Sequence, residues 1–159
     1  MTLYREATNA DLHAICMLGE EVNELHHVVW PHIFAPVGRS LRDLEHWSHS
    51  VARENATTLV AVVAGTIAGF VTICVVTETH SLLQPLRYAR VGSVGVTASL
   101  RGQGIGKQLM TLAEKWARER GALDLRLHVF TFNEHALQMY KELGYEVLSH
   151  SLAKRLSPN

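Results

Sequence analysis

Cysteine is scarce in this chain of 159 residues, and neither sign of charge is in excess. Cys16 and Cys74 are far apart in sequence and form no motif, which predicts free structural thiols in a reducing compartment. Fifteen basic and fifteen acidic residues leave a formal net charge of zero. A nucleic-acid partner would require a basic excess, so the balance argues against one.

Long apolar runs are also missing, and none is long enough to span a bilayer. The N-terminal stretch is interrupted by Arg5, Glu6 and Asp11, so it lacks the apolar core of a signal peptide. We therefore expect a cytoplasmic protein without a membrane or nucleic-acid partner.

Histidine, in contrast, is plentiful, with ten residues. His26, His27 and His32 cluster in sequence, but the chain contains no His-Glu-x-x-His pattern and no closely spaced cysteine pair. These are the patterns that zinc sites commonly use. The sequence therefore predicts no metal site.

The length predicts a single domain over residues 1–159 with a sizeable core. Hydrophobic periodicity, capping signals and glycine or proline breaks predict the elements in the order β-α-α-β-β-β-α-β-α-β, an α/β fold with a mixed sheet. The predicted strands are Leu3–Ala7, Thr57–Val63, Thr66–Thr77, Ala89–Val96, Asp124–Val129 and one or two within Glu146–Arg155. The predicted helices are Asn9–Leu25, Ser40–Glu54 (with Ser40 as its cap), Ile105–Arg120 and Asn133–Gly144.

A glycine-rich turn, residues 101–106, separates the strand that ends at Val96 from the helix that follows. Glycine permits positive φ and lets a ligand approach the backbone closely, and a helix N-terminus offers unpaired amides and partial positive charge. Arg101 and Lys107 add positive charge, and from Arg101 onward the first acidic residue is Glu114. The turn is therefore a candidate anion site.

Two common phosphate motifs do not fit this turn. A Walker A loop requires glycine at the position of Arg101 and serine or threonine at the position of Gln108. A dinucleotide fingerprint requires a third glycine where the chain has Lys107 or Leu109. The pattern that remains is Arg-x-x-Gly-x-Gly.

That pattern resembles the acyl-CoA pyrophosphate loop of the GCN5-related N-acetyltransferases, the GNAT family. A second segment, from Asn133 through Ala136, Tyr140 and Gly144 to Tyr145, resembles the family's Asn-x-x-Ala-x-x-x-Tyr-x-x-x-Gly-[Phe/Tyr] segment. The two motifs occur in the family's order and are separated by a helix and a strand, so together they are more specific than either alone.

The resemblance implies a GNAT-like mixed sheet and transfer of an acetyl group from acetyl-CoA to a primary amine by direct attack in a ternary complex. Homodimers are common in the family, although no sequence feature fixes the oligomeric state. The cofactor-binding residues that the resemblance implies are Val94, Gly95 and Val96 on the strand, Arg101, Gly102, Gln103, Gly104, Ile105, Gly106 and Lys107 in the turn and helix start, and Asn133, Ala136 and Tyr140 on the last helix.

The family's general acid corresponds to Tyr140, whose phenol is protonated at neutral pH and can donate to a leaving thiolate. The base stays open because the central strand carries no carboxylate between Ala89 and Val96. The candidates are Glu24, Glu78, His80 and His128, directly or through water.

The resemblance places the acceptor amine beside the segment that follows the first predicted helix. Acidic and aromatic residues there could bind a cation and enclose its apolar part. The candidate acceptor-binding residues are Glu24, His27, Trp30, Phe34 and Glu78. The acceptor's identity stays open, and the alternative function is a catalytically inactive acyl-CoA sensor or scaffold.

Overall fold

The computed structural model describes residues 1–38, 40–51 and 53–156, apart from the side chains of residues 40–42. The chain forms two compact units, Met1–His128 and Val129–Asn159. The predicted single domain therefore stays a prediction. Among the described residues, no helix has both the length and the apolar character needed to cross a membrane.

The first unit is built on one five-stranded sheet. Its strands are β1 (Thr2–Glu6), β2 (Ala56–Val63), β3 (Thr66–Glu78), β4 (Leu86–Val96) and β5 (Asp124–Arg126). They lie in the spatial order β1-β2-β3-β4-β5. All neighbours are antiparallel except β4 and β5, which are parallel, so the predicted mixed sheet is confirmed. Strands β2 and β3 form a hairpin that turns at Ala64 and Gly65, both of which have positive φ.

Three helices accompany this sheet: α1 (Leu12–Val29), α2 (Ser40–Ser48) and α3 (Ile105–Glu119). Gly69 and Phe70 are consecutive on β3, so they face opposite sides of the sheet. The Gly69 side is covered by Ile105 and Leu109 of α3. On the Phe70 side, the Trp47 ring of α2 lies edge-on to the Phe70 ring at 5.1 Å between centroids. The core therefore has two layers, one on each face.

Helix α1 is longer than predicted, since it continues to Val29 instead of ending at Leu25. It stops where Trp30 precedes Pro31, because proline disfavours helical geometry in the residue before it. The segment that follows the first helix therefore begins at Trp30, four residues later than the predicted helix end implies.

Helix α2 is shorter than predicted and ends at Ser48. The Ser48 hydroxyl donates to the Glu45 carbonyl at 2.7 Å, and the Ser50 hydroxyl donates to the Trp47 carbonyl at 3.1 Å. Such local bonds compete with the helical ladder. The predicted Ser40 cap lies outside the described side chains.

The second unit contains α4 (Glu134–Glu142) and no strand among its described residues, 129–156. The final strand predicted within Glu146–Arg155 is therefore not found. A strand needs a hydrogen-bonded neighbour, and this unit supplies none to those residues. Strand β5 is also shorter than predicted, because its ladder with β4 ends at the pair Arg90 and Arg126.

The 3₁₀ turn Asn9–Asp11 that leads into α1 is fixed by a carboxylate that receives four hydrogen bonds. Arg5 donates to Asp11 from two nitrogens at 2.7 and 2.9 Å, and the Thr8 amide and hydroxyl donate at 2.8 and 3.1 Å. The Arg5 bonds first, and then those from Thr8, hold the pKa of Asp11 well below its usual range.

We expect Asp11→Asn to lower the free energy of unfolding at pH 7 by about 1–2 kcal/mol. A lowered carboxyl pKa stabilises the fold above the unfolded pKa of about 3.9, and this stabilisation is lost as the pH falls below it. Urea unfolding should therefore show the difference between wild type and variant shrinking from about pH 4 towards pH 2. An unchanged difference at acidic pH would contradict this assignment.

Candidate active site

The geometry of the site begins with a β-bulge in β4. Ile73 of β3 pairs with Val91, whereas Val71 pairs with Val94. Thr72 alone therefore stands opposite two β4 residues, Gly92 and Ser93. The Ser93 amide donates to the Thr72 hydroxyl at 2.9 Å. A bulge of this kind bends the strand and interrupts its ladder.

The bulge lies just past the point where β4 and β5 separate. The two strands are paired only from Tyr88 to Arg90 of β4. Residues 94–96 of β4 still pair with β3 on one side and have no β5 partner on the other. Residues 94–96 therefore form an open edge of β4.

The directions of the backbone N–H and C=O groups on the open edge follow from one hydrogen bond. The Thr97 amide donates to the Ala68 carbonyl of β3 at 2.8 Å. Because consecutive residues of a strand direct these groups to opposite sides, those of Val94 and Val96 point away from β3. The Arg101 guanidinium donates from Nε to the Val96 carbonyl at 2.9 Å, which agrees with this assignment. The amides of Val94 and Val96 thus remain directed outward.

Gly95 has a different role from its two neighbours. It pairs with Phe70 on β3. A Cβ on Gly95 would lie 2.7 Å from the Phe70 ring and 2.8 Å from a Val22 methyl of α1. The absence of a side chain therefore lets α1 pack closely over this part of the sheet, which accounts for the glycine without any ligand.

The turn after β4 carries two glycines in the left-handed region, Gly102 with φ 76° and Gly104 with φ 82°. A Cβ at either position would meet nothing within 4 Å, so the surrounding space is open. The glycines are required by the backbone conformation and not by crowding.

Helix α3 begins at this turn with exposed positive potential. Its first intrahelical bond runs from the Gln108 amide to the Gly104 carbonyl at 3.0 Å. The Ile105 and Gly106 amides precede that bond, and the first turn carries no acidic residue. Open space, outward amides and uncompensated helix charge fit a pyrophosphate, so the chemistry of the turn suits the phosphate end of an acyl-CoA.

The segment after α1 is fastened to that helix at two points. Asn23 donates from its side-chain nitrogen to the Ala35 carbonyl at 2.8 Å, and a His27 ring nitrogen bonds to the Phe34 carbonyl at 2.7 Å. Glu24 lies between them in sequence, and its Oε2 is buried with no hydrogen-bond partner. An unpaired buried carboxylate oxygen is unfavourable, so Glu24 is suited to receive a ligand's donor.

Aromatic rings pair with one another around the end of α1 and in the segment that follows it. The Phe34 and His26 rings lie 4.9 Å apart, and those of Trp30 and His32 lie 5.4 Å apart, between centroids. Of the predicted acceptor residues, the structure thus brings His27 and Phe34 into contact. His27 holds the segment in place through its ring nitrogen, a role that the sequence did not reveal.

The structure places two of the predicted base candidates, Glu78 and His128, as follows. Glu78 ends β3 opposite Leu86, eight residues before Val94 on β4, which is roughly 25 Å along the strand. Its carboxylate accepts a hydrogen bond from the His80 amide at 2.8 Å. His128 is exposed beyond the end of β5, so it does not occupy the strand position predicted for it.

A further group of donor atoms lies between α1 and α2. Side-chain atoms of Cys16, Glu20 and Asp43 approach one another within 4.8 Å. Burial, and then the charges of Asp43 and Glu20, raise the pKa of the Cys16 thiol. Because metals bind the thiolate, this effect opposes metal binding, and we assign the cluster no ligand.

In the second unit, the end of α4 determines the surroundings of Tyr140. The Tyr145 amide donates to the Tyr140 carbonyl at 3.0 Å, and the Gly144 amide donates to the Lys141 carbonyl at 3.1 Å. Gly144 has φ 87°. These bonds define a Schellman motif, and the Tyr145 ring packs against the Tyr140 ring at 5.6 Å between centroids.

The environment of Tyr140 also alters its chemistry. The residue is buried, and this burial raises the pKa of its phenol to about 12. The phenol is therefore a neutral hydrogen-bond donor throughout the physiological range. At the other end of α4, Asn133 accepts the Ala136 amide at 3.2 Å, so its side-chain oxygen is used as the predicted helix cap.

Comparison with known proteins defines the class. The sequence profile of the acetyltransferase (GNAT) family matches residues 19–145. The chain belongs to that family, as its two motifs predicted. The family is one of acetyltransferases, and its members use acetyl-CoA as the acyl donor.

Individual relatives are similar over parts of their length. Streptothricin acetyltransferase from Streptomyces lavendulae is 36% identical over 89 residues, which are 55% of this chain and 43% of that protein. The uncharacterized N-acetyltransferase YdgE from Bacillus subtilis (strain 168) is 35% identical over 74 residues, 46% of this chain and 47% of that protein. N-acetyltransferase family 8 member 2 from Rattus norvegicus is 30% identical over 117 residues, which are 72% of this chain and 50% of that protein. The chain spans about half the length of these curated relatives.

Solved structures extend the likeness over the whole chain. A mutant of the BH1408 protein from Bacillus halodurans has a TM-score of 0.90 at 23% identity, with 98% of this chain and 99% of that chain covered. The aminoglycoside acetyltransferase AAC(6')-Iy, bound to a bisubstrate analog, has a TM-score of 0.78 at 14% identity, with 99% of both chains covered. At these identities the likeness shows the fold, and it agrees with the predicted GNAT-like architecture.

Proposed function

We propose that this protein is an N-acetyltransferase that transfers the acetyl group of acetyl-CoA to a primary amine by direct attack in a ternary complex. The observation that carries the proposal is the open edge of β4, which leads directly into the glycine turn and the N-terminus of α3. Outward amides next to an anion site suit a long ligand with a polar amide arm and a pyrophosphate. Acetyl-CoA supplies the activated acyl group.

The chain's own residues bind the donor, stabilise the charge that develops on the thioester and assist the departing sulfur. The turn from Arg101 to Lys107 holds the pyrophosphate, and the Val94 and Val96 amides hold the arm of the donor. One of these amides also donates to the thioester oxygen as it gains charge. After one proton has left the ammonium, the amine nitrogen forms the new C–N bond as the C–S bond breaks, and the excess proton on that nitrogen passes to the departing thiolate directly or through water, which gives the free thiol. The resemblance to the family assigns to Tyr140 a hydrogen bond donated to the departing sulfur.

Glu24 binds the acceptor amine and removes its proton. His128 and a water-mediated path are the alternatives for proton removal. A carboxylate attracts the acceptor as its ammonium and then takes up a proton from it. Trp30 and Phe34 enclose the apolar part of the acceptor, and His27 keeps their segment in place. One relative is named as a thialysine N-epsilon-acetyltransferase, a name that specifies acetylation at nitrogen and supports an amine acceptor for this chain. We also propose a cytoplasmic location and leave the oligomeric state open.

The direct test is a screen of amine acceptors with acetyl-CoA that measures free thiol and the acetylated product by mass spectrometry. We expect thiol release only when an amine is present. Tight acetyl-CoA binding with no transfer to small amines, polyamines, aminoglycosides or peptide amines would favour the sensor or scaffold. Absence of acetyl-CoA binding would overturn both proposals.

Glu24→Gln keeps the size of the side chain and removes its charge. We expect kcat/KM for the amine to fall at least tenfold, because a charge-assisted hydrogen bond to the ammonium is lost. The acetyl-CoA dissociation constant should change little. Steady-state kinetics with varied amine would measure the first, and calorimetry the second.

Glu21→Gln is the matched control, because Glu21 is an exposed glutamate on the same helix. Its kinetics should resemble those of the wild type. Equal effects of the two substitutions would indicate general electrostatic attraction and would remove Glu24 from the site.

A further inference from the structure

The bulge in β4 determines which amides point out of the open edge. Consecutive residues alternate between the two sides of a strand, and an extra residue shifts that alternation by one. Without the bulge, the amides of Val94 and Val96 would turn towards β3, and those of Gly95 and Thr97 would face outward. The outward direction of Val94 therefore depends on Gly92 and Ser93 together opposing one residue of β3.

One side chain holds this extra residue in place. The Ser93 amide faces β3 but meets the Thr72 hydroxyl at 2.9 Å, where a regular ladder would provide a backbone carbonyl. Thr72 is buried, at 7% exposure, so water does not readily replace its oxygen. The Ser93 amide is partly buried and points at the buried Thr72 side chain, so losing its acceptor is unfavourable, and the Thr72 hydroxyl stabilises the bulged register.

Gly92 complements this contact from the opposite strand. A Cβ on Gly92 would lie 2.7 Å from the Thr72 hydroxyl oxygen, closer than real Cβ atoms approach. Its φ is outside the positive range, so glycine serves here to admit the hydroxyl and not to permit an unusual conformation. Thr72 and Gly92 are thus a matched pair, and either partner's loss disturbs the same hydrogen bond.

We propose that Thr72 is a positioning residue for acyl transfer: its hydroxyl, accepting from the Ser93 amide, fixes the bulge that directs the Val94 amide towards the acyl donor. Thr72 itself touches neither substrate. This inference rests on the proposed function, because it assigns the Val94 amide a part in the reaction.

The test compares three substitutions in the full chain. Thr72→Val removes the acceptor oxygen at nearly constant volume, and we expect kcat to fall at least tenfold at saturating acetyl-CoA and amine. Thr72→Ser retains the hydroxyl and should stay within about threefold of wild type. Gly92→Ala disturbs the contact without changing Thr72, so its kcat should also fall at least tenfold.

Two further measurements separate positioning from general damage. CoA without an acetyl group should lose less affinity for Thr72→Val than kcat loses, because the glycine turn proposed for its pyrophosphate is unchanged and only the arm at the open edge is affected. Thr57→Val is the matched control: Thr57 is a buried threonine of β2 that pairs with Ile73, and its hydroxyl donates to the Glu6 carboxylate at 3.1 Å. It should lower stability while kcat stays near wild type.

Hydrogen exchange observed by NMR tests the contact apart from catalysis. The Ser93 amide should lose at least tenfold of its protection in Thr72→Val and keep it in Thr72→Ser. If the wild type acetylates no amine, the proposed function fails, and the catalytic part of this inference fails with it. The hydrogen-exchange result still decides whether Thr72 holds the bulge. Wild-type kcat in Thr72→Val, or equal loss in the valine and serine variants, would overturn the inference. If Thr72→Val does not fold, Gly92→Ala decides the matter in the same way.

Discussion

Tyr140→Phe is expected to lower kcat by about 10²-fold while acetyl-CoA affinity changes little. The substitution removes one hydroxyl and retains the ring that packs against Tyr145, so α4 and its Schellman motif should persist. The hydroxyl matters only as the thiolate departs, which is why its loss affects turnover more than binding.

The raised pKa specifies how Tyr140 would act. A phenol with a pKa of about 12 is a weaker acid than an ordinary thiol, whose pKa is near 8.5. Complete proton transfer to the thiolate would thus be uphill by about 5 kcal/mol. A hydrogen bond that strengthens as charge develops on sulfur requires no such transfer. Because the protonated phenol is the working form below its pKa, the rate should show no decline from Tyr140 ionisation between about pH 9 and about pH 11.

Thiol release at saturating substrates, recorded with the thermal midpoint, measures the effect. Tyr4→Phe is the control: Tyr4 is on β1, three strands away from β4 in the sheet order, and its loss of a hydroxyl should leave turnover unchanged. A lower midpoint with normal turnover in Tyr140→Phe would limit that hydroxyl to a structural role.

Gly104→Val is expected to weaken acetyl-CoA binding at least tenfold, or about 1.4 kcal/mol. Valine disfavours the φ of 82° found at this position, so the turn must rearrange, and its branched side chain would enter the open space proposed for the pyrophosphate. Both effects act on the same anion site. Calorimetric titration with acetyl-CoA would measure the loss.

Gly65→Val controls for backbone strain. Gly65 has φ 80° in the β2–β3 hairpin, and a Cβ there, as at Gly104, would meet nothing within 4 Å. Both variants should lose stability for the same conformational reason, but only Gly104→Val should lose affinity. Comparable affinities in folded Gly104→Val and wild type would show that this turn does not bind the phosphates.

Local signals predicted several backbone features of the candidate site. The glycine turn, the start of α3 and the glycine that follows α4 are each specified by a few adjacent residues, and the structure has all three. The GNAT family assignment followed from the same segments and is confirmed by the family match.

Features that depend on pairing between distant segments were not predictable in the same way. The partnership of Thr72 with Gly92 and Ser93 exists only once β3 and β4 are in register, and nothing in the local sequence marks it. The buried oxygen of Glu24 and the fastening of the segment by His27 likewise need the tertiary structure. The ends of α1 and α2 were misplaced because Pro31 and two serine hydroxyls outweighed the hydrophobic pattern there.

The absence of acidic residues from the first turn of α3 also bears on folding equilibria. A ligand that binds only the native state adds RT ln(1 + [L]/Kd) to the free energy of unfolding, about 2.7 kcal/mol at a hundred times Kd. An anionic donor bound at this turn would supply the counter-charge that the sequence leaves out. The resistance of the protein to unfolding would then follow the supply of acyl-CoA, and its steady-state abundance would be linked to the metabolic state that provides its substrate.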